Sequence, residues 1–263
     1  MKVGIIGGTG FYDAGIFSGE KDATVSTPYG PVALKTGVCE GREVVFLARH
    51  GARHTVPPHL VNYRANIWAL REIGAEKVIA TAAVGSLQKD LKPGEIVLLD
   101  QFLDFTKSRA QTFFEGDESG VLHVDVTDPY CPSLRGEVCR AAGRIEVALH
   151  NGGTYVCTEG PRYETPAEVR MFRSLGGDVV GMTSIPEVVL AREAELCYAT
   201  ITLVTNYASG ISTRQLSHKE VIAAMNEAQG VLRRLILSVL ENISESRPCN
   251  CSQAARELGG LSQ

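Results

Sequence analysis

The sequence predicts an α/β fold, a single domain with a central mixed, largely parallel sheet flanked by helices. Two observations carry this expectation. Short apolar runs rich in β-branched residues alternate with stretches of helical periodicity. No repeat or internal linker divides the chain, and 263 residues with 44% hydrophobic and 21% charged content suffice for one large core.

In chain order, "KVGII" reads as a strand that stops at the turn Gly7-Gly8-Thr9-Gly10. "EVVFLA" reads as a strand running into a basic loop, and a helix is expected over 61–73. "KVIATAAVG" and "EIVLLD" read as strands, and 132–148 as a helix. "YVCTEG", "DVVGMTS" and "ATITLVTN" supply further strands, separated by expected helices at 166–175 and 186–195. The last helix, 218–243, shows an apolar stripe of Val221, Met225, Ala228, Leu232, Leu235 and Val239. Three helix starts have capping-box spacing: Thr165-Pro166-Ala167-Glu168, Ser184-Ile185-Pro186-Glu187 and Ser217-His218-Lys219-Glu220. Each follows a polar loop, so the positive ends of three helices can converge on one pocket.

A domain of 1–243 is expected, followed by a peripheral polar tail at 244–263. The tail holds a C-x-C pair, Cys249 and Cys251, which reads as a redox clasp, a weak metal site or two surface thiols. With no His or further Cys beside it in sequence, surface thiols are expected, and no metal. Seven scattered cysteines, an odd number, argue against a secreted disulfide framework. A formal net charge of −4 disfavours nucleic acid as a partner. No apolar run reaches the length of a membrane span, and the N-terminus lacks signal-peptide features, so a cytoplasmic protein is expected.

Four stretches carry candidate chemistry. "GIIGGTGF" exposes backbone N–H groups and the Thr9 hydroxyl; it fits an anion site or a plain turn, and both the dinucleotide and P-loop glycine patterns fail. "LARHGARH" places Arg49, His50, Arg53 and His54 at a strand end, and arginine forks suit oxyanions. "CTEGPRYETPAE" and "GMTSIPEV" place Tyr163, Glu164, Met182 and Thr183 beside helix starts, where a flat ligand and a phosphate find partners.

Together "GIIGGTG", "LARHG…VNYRANIWAL", "GPRYET", "VGMTSIPEVVLARE" and the "VTN" strand end resemble the trimeric purine nucleoside phosphorylases, above all the methylthioadenosine phosphorylase branch. The resemblance spans about residues 1–240. It implies a nucleoside phosphorylase-like fold and attack of inorganic phosphate, a co-substrate, on C1′ of a purine nucleoside, with no cofactor or metal. It implies phosphate contacts from Thr9, Arg49, His50, Ala83 and Thr183. Met182 would meet ribose and Tyr163 would face base and sugar. His123 would reach a neighbouring subunit's sugar pocket in a homotrimer or dimer of trimers.

Four positions depart from the methylthioadenosine branch. Asn206 and Ala208 stand where that branch has aspartates, and Glu164 where it has a small residue. An amide both accepts from N7–H and donates to O6, and a carboxylate accepts from N1–H, a proton that adenine lacks. His218 stands where the branch has an apolar residue, and it suits a 5′-hydroxyl. These substitutions point to 6-oxopurine nucleosides such as inosine and guanosine, with Asn206, His50 and Arg49 in the catalytic roles. Methylthioinosine or methylthioadenosine phosphorolysis, and purine binding without turnover, are the alternatives.

Overall fold

Strand β5 (Ala75–Ser86) organises the sheet. Its first half lies between two parallel neighbours, β1 (Lys2–Gly7) and β11 (Cys197–Tyr207). At its far end it exchanges β1 for the antiparallel β10 (Val179–Gly181). The computed structural model describes residues 1–8, 17–116, 118, 120–212 and 218–256, with the helix backbone alone over 218–228.

Beyond β1 lie the parallel β4 (Arg42–Ala48) and then the antiparallel hairpin of β3 (Gly30–Cys39) and β2 (Ser18–Thr27). Beyond β10 lie β9 (Thr154–Thr158) and β7 (Gln101–Phe105), both parallel to their neighbours. On its other edge β11 pairs with the antiparallel β6 (Ile96–Leu98), which pairs with β8 (Leu149–Asn151). The mixed, largely parallel sheet expected from the sequence is thus present. β5 and β11 are buried almost throughout, which explains their unbroken apolar sequence.

Side-chain alternation sends the strands into two cores. Val3, Ile5 and Ile79 pack with α2 (Pro132–Arg144) and α5 (His218–Asn242) through Leu134, Val138, Leu235 and Val239. Ile6, Val78 and Ala80 pack with α1 (Tyr63–Glu72) and α4 (Ser184–Glu193) through Ile67, Leu70, Val188 and Leu190. The shorter α3 (Pro166–Ser174) covers a third cluster that includes Val180 and Ala208. All five expected helices form. The second stops at Arg144, and Leu149–Asn151 becomes a strand. The hairpin β2–β3 went unpredicted because β2 ("SGEKDATVST") is solvent-facing and carries no apolar run. Among the described residues no helix is long and apolar enough to cross a membrane.

The described residues after α5, 243–256, are not the peripheral tail expected. Cys251 and Ala255 are buried, and Arg247 bonds the carbonyl of Glu195. Nor are Cys249 and Cys251 a pair of surface thiols, since their sulfurs meet those of Cys131 and Cys197. The backbone also anchors there: Lys77, 1% exposed, donates to the Ser244 carbonyl (2.7 Å) and to both Glu137 oxygens (2.9 and 3.1 Å). Removing one member of a buried pair strands the other charge. Glu137→Ala is therefore expected to lower stability by about 3–5 kcal/mol, read as a shifted midpoint in urea unfolding.

Candidate active site

A cavity of about 530 Å³ opens where the strands end. Arg49 and His50 follow β4, Glu164 follows β9, Met182 and Thr183 follow β10, and Asn206 lies at the end of β11. Ala82–Gly85 of β5 form its floor. In open α/β sheets ligands bind at such strand ends, where neighbouring connections diverge. Here the divergence has a clear origin. β1 pairs with β5 only as far as Ala80, and β10 joins at Gly85. Between those points no strand among the described residues covers that edge of β5, so its backbone faces the cavity.

One end holds a buried ion pair. Arg49 is buried, and its Nε and Nη2 donate to the two carboxylate oxygens of Glu187, each at 2.7 Å. Its Nη1 donates to the Thr81 carbonyl at 2.8 Å. Three of the five guanidinium N–H donors are thereby used. Burial disfavours the charged form of Arg49, but the Glu187 carboxylate outweighs this and raises its pKa. The Tyr198 hydroxyl donates to the same carboxylate at 2.6 Å. Gly8 makes this packing possible: a Cβ there would lie 2.4 Å from the Thr81 carbonyl oxygen and 2.8 Å from Nη1 of Arg49. His50 Nδ1 lies 2.8 Å from the Val56 carbonyl, which can only accept, so Nδ1 carries a proton. Burial and the adjacent Arg49 charge pull the His50 pKa down to about 4. The ring is therefore neutral near pH 7, with Nε2 unprotonated. Thr183, also buried, precedes α4, and its side chain does not cap that helix.

The opposite end carries the groups suited to a planar base. Asn206 Oδ1 accepts from Thr205 Oγ1 (2.8 Å), and its Nδ2 donates to the Tyr207 carbonyl (3.0 Å). The amide is thus held in one orientation, with a second lone pair and a second N–H to spare. Thr158 Oγ1 donates to Glu164 at 2.7 Å. Burial raises the Glu164 pKa, and the Thr158 hydroxyl opposes this. Ala208 is buried and packs against the cluster under α3. Tyr163, 40% exposed, sits at the rim, and Met182 lines the wall.

Of the residues singled out from sequence, Arg49, His50, His54, Ala83, Tyr163, Glu164, Met182, Thr183, Asn206 and Ala208 line this one cavity. Thr9 lies outside the described residues, as does the side chain of His218, whose backbone opens α5. His123 is exposed and does not line its own chain's cavity. The basic cluster divides: Arg49 and His50 are buried, whereas Arg53 and His54 are exposed. One expected capping box forms, at Thr165 and Glu168. The expected box at Ser184 and Glu187 does not. Ile185 is extended (φ −112°, ψ 131°), and both Glu187 oxygens are committed to Arg49. The third expected box begins at Ser217, outside the described residues. Sequence reasoning missed Glu187, Thr158 and Thr205 as partners. Glu187 was misread because its spacing from Ser184 mimics a cap. The two threonines precede or flank the residues they orient and show no periodic signal.

A family model described as "Phosphorylase superfamily" matches residues 2–241. Similar proteins include a "Probable 6-oxopurine nucleoside phosphorylase" of Moorella thermoacetica, 54% identical across 98% of this chain and 99% of that one. A "6-oxopurine nucleoside phosphorylase" of Pyrococcus furiosus is 51% identical across 98% and 99%. Among solved structures, methylthioadenosine phosphorylase from Schistosoma mansoni in complex with adenine superimposes with a TM-score of 0.92 at 34% identity, covering 98% of this chain and 97% of that one. With its cavity at the diverging strand ends and this match along nearly all of its length, the chain belongs to the phosphorylase superfamily.

Proposed function

We propose that this protein is a purine nucleoside phosphorylase acting on 6-oxopurine nucleosides, inosine and guanosine, and releasing the free base and ribose 1-phosphate. The observation that carries the proposal is the pairing of an amide and a carboxylate at the base end of the cavity. Asn206 has one N–H and one lone pair left after its protein contacts, and Glu164 keeps an oxygen beyond the one bonded to Thr158. A 6-oxopurine nucleoside offers O6 to the N–H and N1–H to the carboxylate, and once N7 is protonated as the base departs, N7–H reaches the carbonyl. A 6-aminopurine has no N1 proton and presents a donor at C6. The names of the relatives from M. thermoacetica and P. furiosus support the same base preference.

In this reading a phosphate oxygen forms a bond to C1′ as the C1′–N9 bond breaks. The bonding pair moves into the purine ring, where charge spreads to O6 and N7, and a proton from solvent joins N7 to give the neutral free base. The transition state resembles that of glycoside cleavage, and the attacking group is already an anion. Catalysis therefore consists of positioning and of stabilising the departing base. Phosphate takes the two remaining donors of Arg49, the Thr183 hydroxyl, the backbone at Ala83 and Thr9. Neutral His50 accepts from a phosphate hydroxyl through Nε2. Met182 and Tyr163 enclose the sugar, His218 meets the 5′-hydroxyl, and His123 completes a neighbour's site in a homotrimer or a dimer of trimers. No cofactor takes part.

Phosphorolysis of inosine, guanosine, adenosine, methylthioadenosine and methylthioinosine tests base and tail together. Inosine and guanosine are expected to lead, and a preference for either adenine nucleoside contradicts the proposal. Asn206→Asp sets lone pair against lone pair at O6, a mismatch of about 1–3 kcal/mol. Inosine kcat/KM should drop roughly tenfold to hundredfold and adenosine should gain relative to it; an unchanged ratio removes Asn206 from base selection. The raised Glu164 pKa sets a pH limit, since the ionised carboxylate accepts from N1–H more strongly than the neutral acid and presents no competing O–H. Inosine kcat/KM should fall on the acid side with a pKa above the usual carboxylate range, because this profile reports the free enzyme. Glu164→Gln should abolish that limb while lowering kcat/KM across the range, and a limb retained in the variant assigns the titration to another group.

A further inference from the structure

Far from the nucleoside cavity, four thiols from three parts of the chain meet. Cys131 is the N-cap of α2, Cys197 opens β11, and Cys249 and Cys251 flank one residue after α5. Their sulfurs all lie within 4.8 Å of one another. Zn–S bonds of about 2.3 Å place the sulfurs of a tetrahedron about 3.8 Å apart, so little movement closes the set on an ion. Cys131, Cys197 and Cys251 are buried and Cys249 is half-buried, which leaves one side for entry. All four are free thiols, and the Sγ atoms of Cys197 and Cys249 stand 3.3 Å apart.

The surroundings supply a second, independent observation. Arg247 Nε donates to Cys197 Sγ (3.3 Å), Arg192 Nη1 to Cys251 Sγ (3.4 Å) and the Leu134 N–H to Cys131 Sγ (3.4 Å). Two guanidinium charges directed at a cluster of thiols are unneeded if the thiols stay neutral. They match the charge of −2 left when four thiols release four protons to bind one divalent ion. N–H donors to coordinated sulfur are the usual outer partners of a thiolate site. An all-sulfur tetrahedral set selects a thiophilic ion over magnesium or calcium.

We propose that Cys131, Cys197, Cys249 and Cys251 bind one zinc ion as a tetrathiolate site that fastens the C-terminal segment to the starts of α2 and β11. The site is structural, because four protein ligands leave no open position. Cys197 and Asn206 lie at opposite ends of β11, about 30 Å apart at strand rise. Zinc thus stabilises the strand that carries Asn206 without touching substrate.

The test uses the full chain, untagged and purified anaerobically from zinc-replete cells. Mass spectrometry of metals is expected to find one zinc per chain. Removing it with a chelator should lower Tm by several degrees, and Co2+ added to the stripped protein should give the intense visible absorption of a tetrahedral cobalt thiolate. Cys249→Ser, at the half-buried position, should lose zinc and thermal stability while inosine phosphorolysis at room temperature is unchanged. The cobalt spectrum of the unaltered chain needs no variant to fold. A fully reduced chain with neither zinc nor a cobalt spectrum overturns the proposal. So does a chain in which these four cysteines are already paired as disulfides, or a zinc content unchanged in a Cys249→Ser/Cys251→Ser variant.

Discussion

Arg49 cannot occupy its position without Glu187. A guanidinium with a side chain 1% exposed pays heavily for leaving water unless a carboxylate meets it with good geometry. Glu187 provides that geometry with two 2.7 Å bonds. Much of the site follows from this pair. Position 8 must lack a side chain, because a Cβ there would collide with Thr81 and Arg49. Glu187 gives up any capping role, and Ile185 takes an extended conformation before the regular helix. Tyr198 is directed at the same carboxylate. The consequence for anion binding is specific. The pair is neutral overall, so Arg49 contributes oriented N–H donors more than net attraction. Its neighbour His50 is neutral as well.

The base end uses the same device with weaker partners. Neighbouring hydroxyls hold Asn206 and Glu164, each satisfying part of the group's hydrogen-bonding capacity and leaving part exposed to the cavity. Groups fixed in advance need no reordering when charge develops on the departing base. Between the two ends, β5 contributes small residues, Ala82 and Ala83, whose backbone forms the floor. A larger side chain at either position would reduce the space of this cavity.

The sheet and its helices were legible in the sequence because burial on both faces leaves unbroken apolar runs, as in β5 and β11, and because capping signals such as Thr165-Pro166 and the apolar stripe of the last helix mark helices, whereas α4, buried nearly all round, carries no stripe. Several of the polar cavity residues, such as Arg49, His50, Glu164, Thr183 and Asn206, were legible too, since they lie at or just beyond strand ends. Less legible were features that depend on contacts distant in sequence. Glu187 lies 138 residues from Arg49, and its spacing from Ser184 suggests only a cap. Cys131 and Cys197 lie far from the C-x-C pair, so pairwise spacing gave no sign of four converging thiols. The strand β2 escaped because its first half is exposed throughout and only Ala23, Val25 and Thr27 alternate toward the sheet, too short a pattern to stand out.

The central claim is that Asn206 and Glu164 read a 6-oxopurine from fixed positions. A crystal structure with hypoxanthine and phosphate bound tests it most directly. The predicted result has N1–H on the Glu164 carboxylate, O6 on Asn206 Nδ2 and N7 facing Asn206 Oδ1, with phosphate within reach of Arg49, His50 and Thr183. A base that turns its O6 edge away from Asn206, or that leaves Glu164 in contact with no ring nitrogen, would contradict the account.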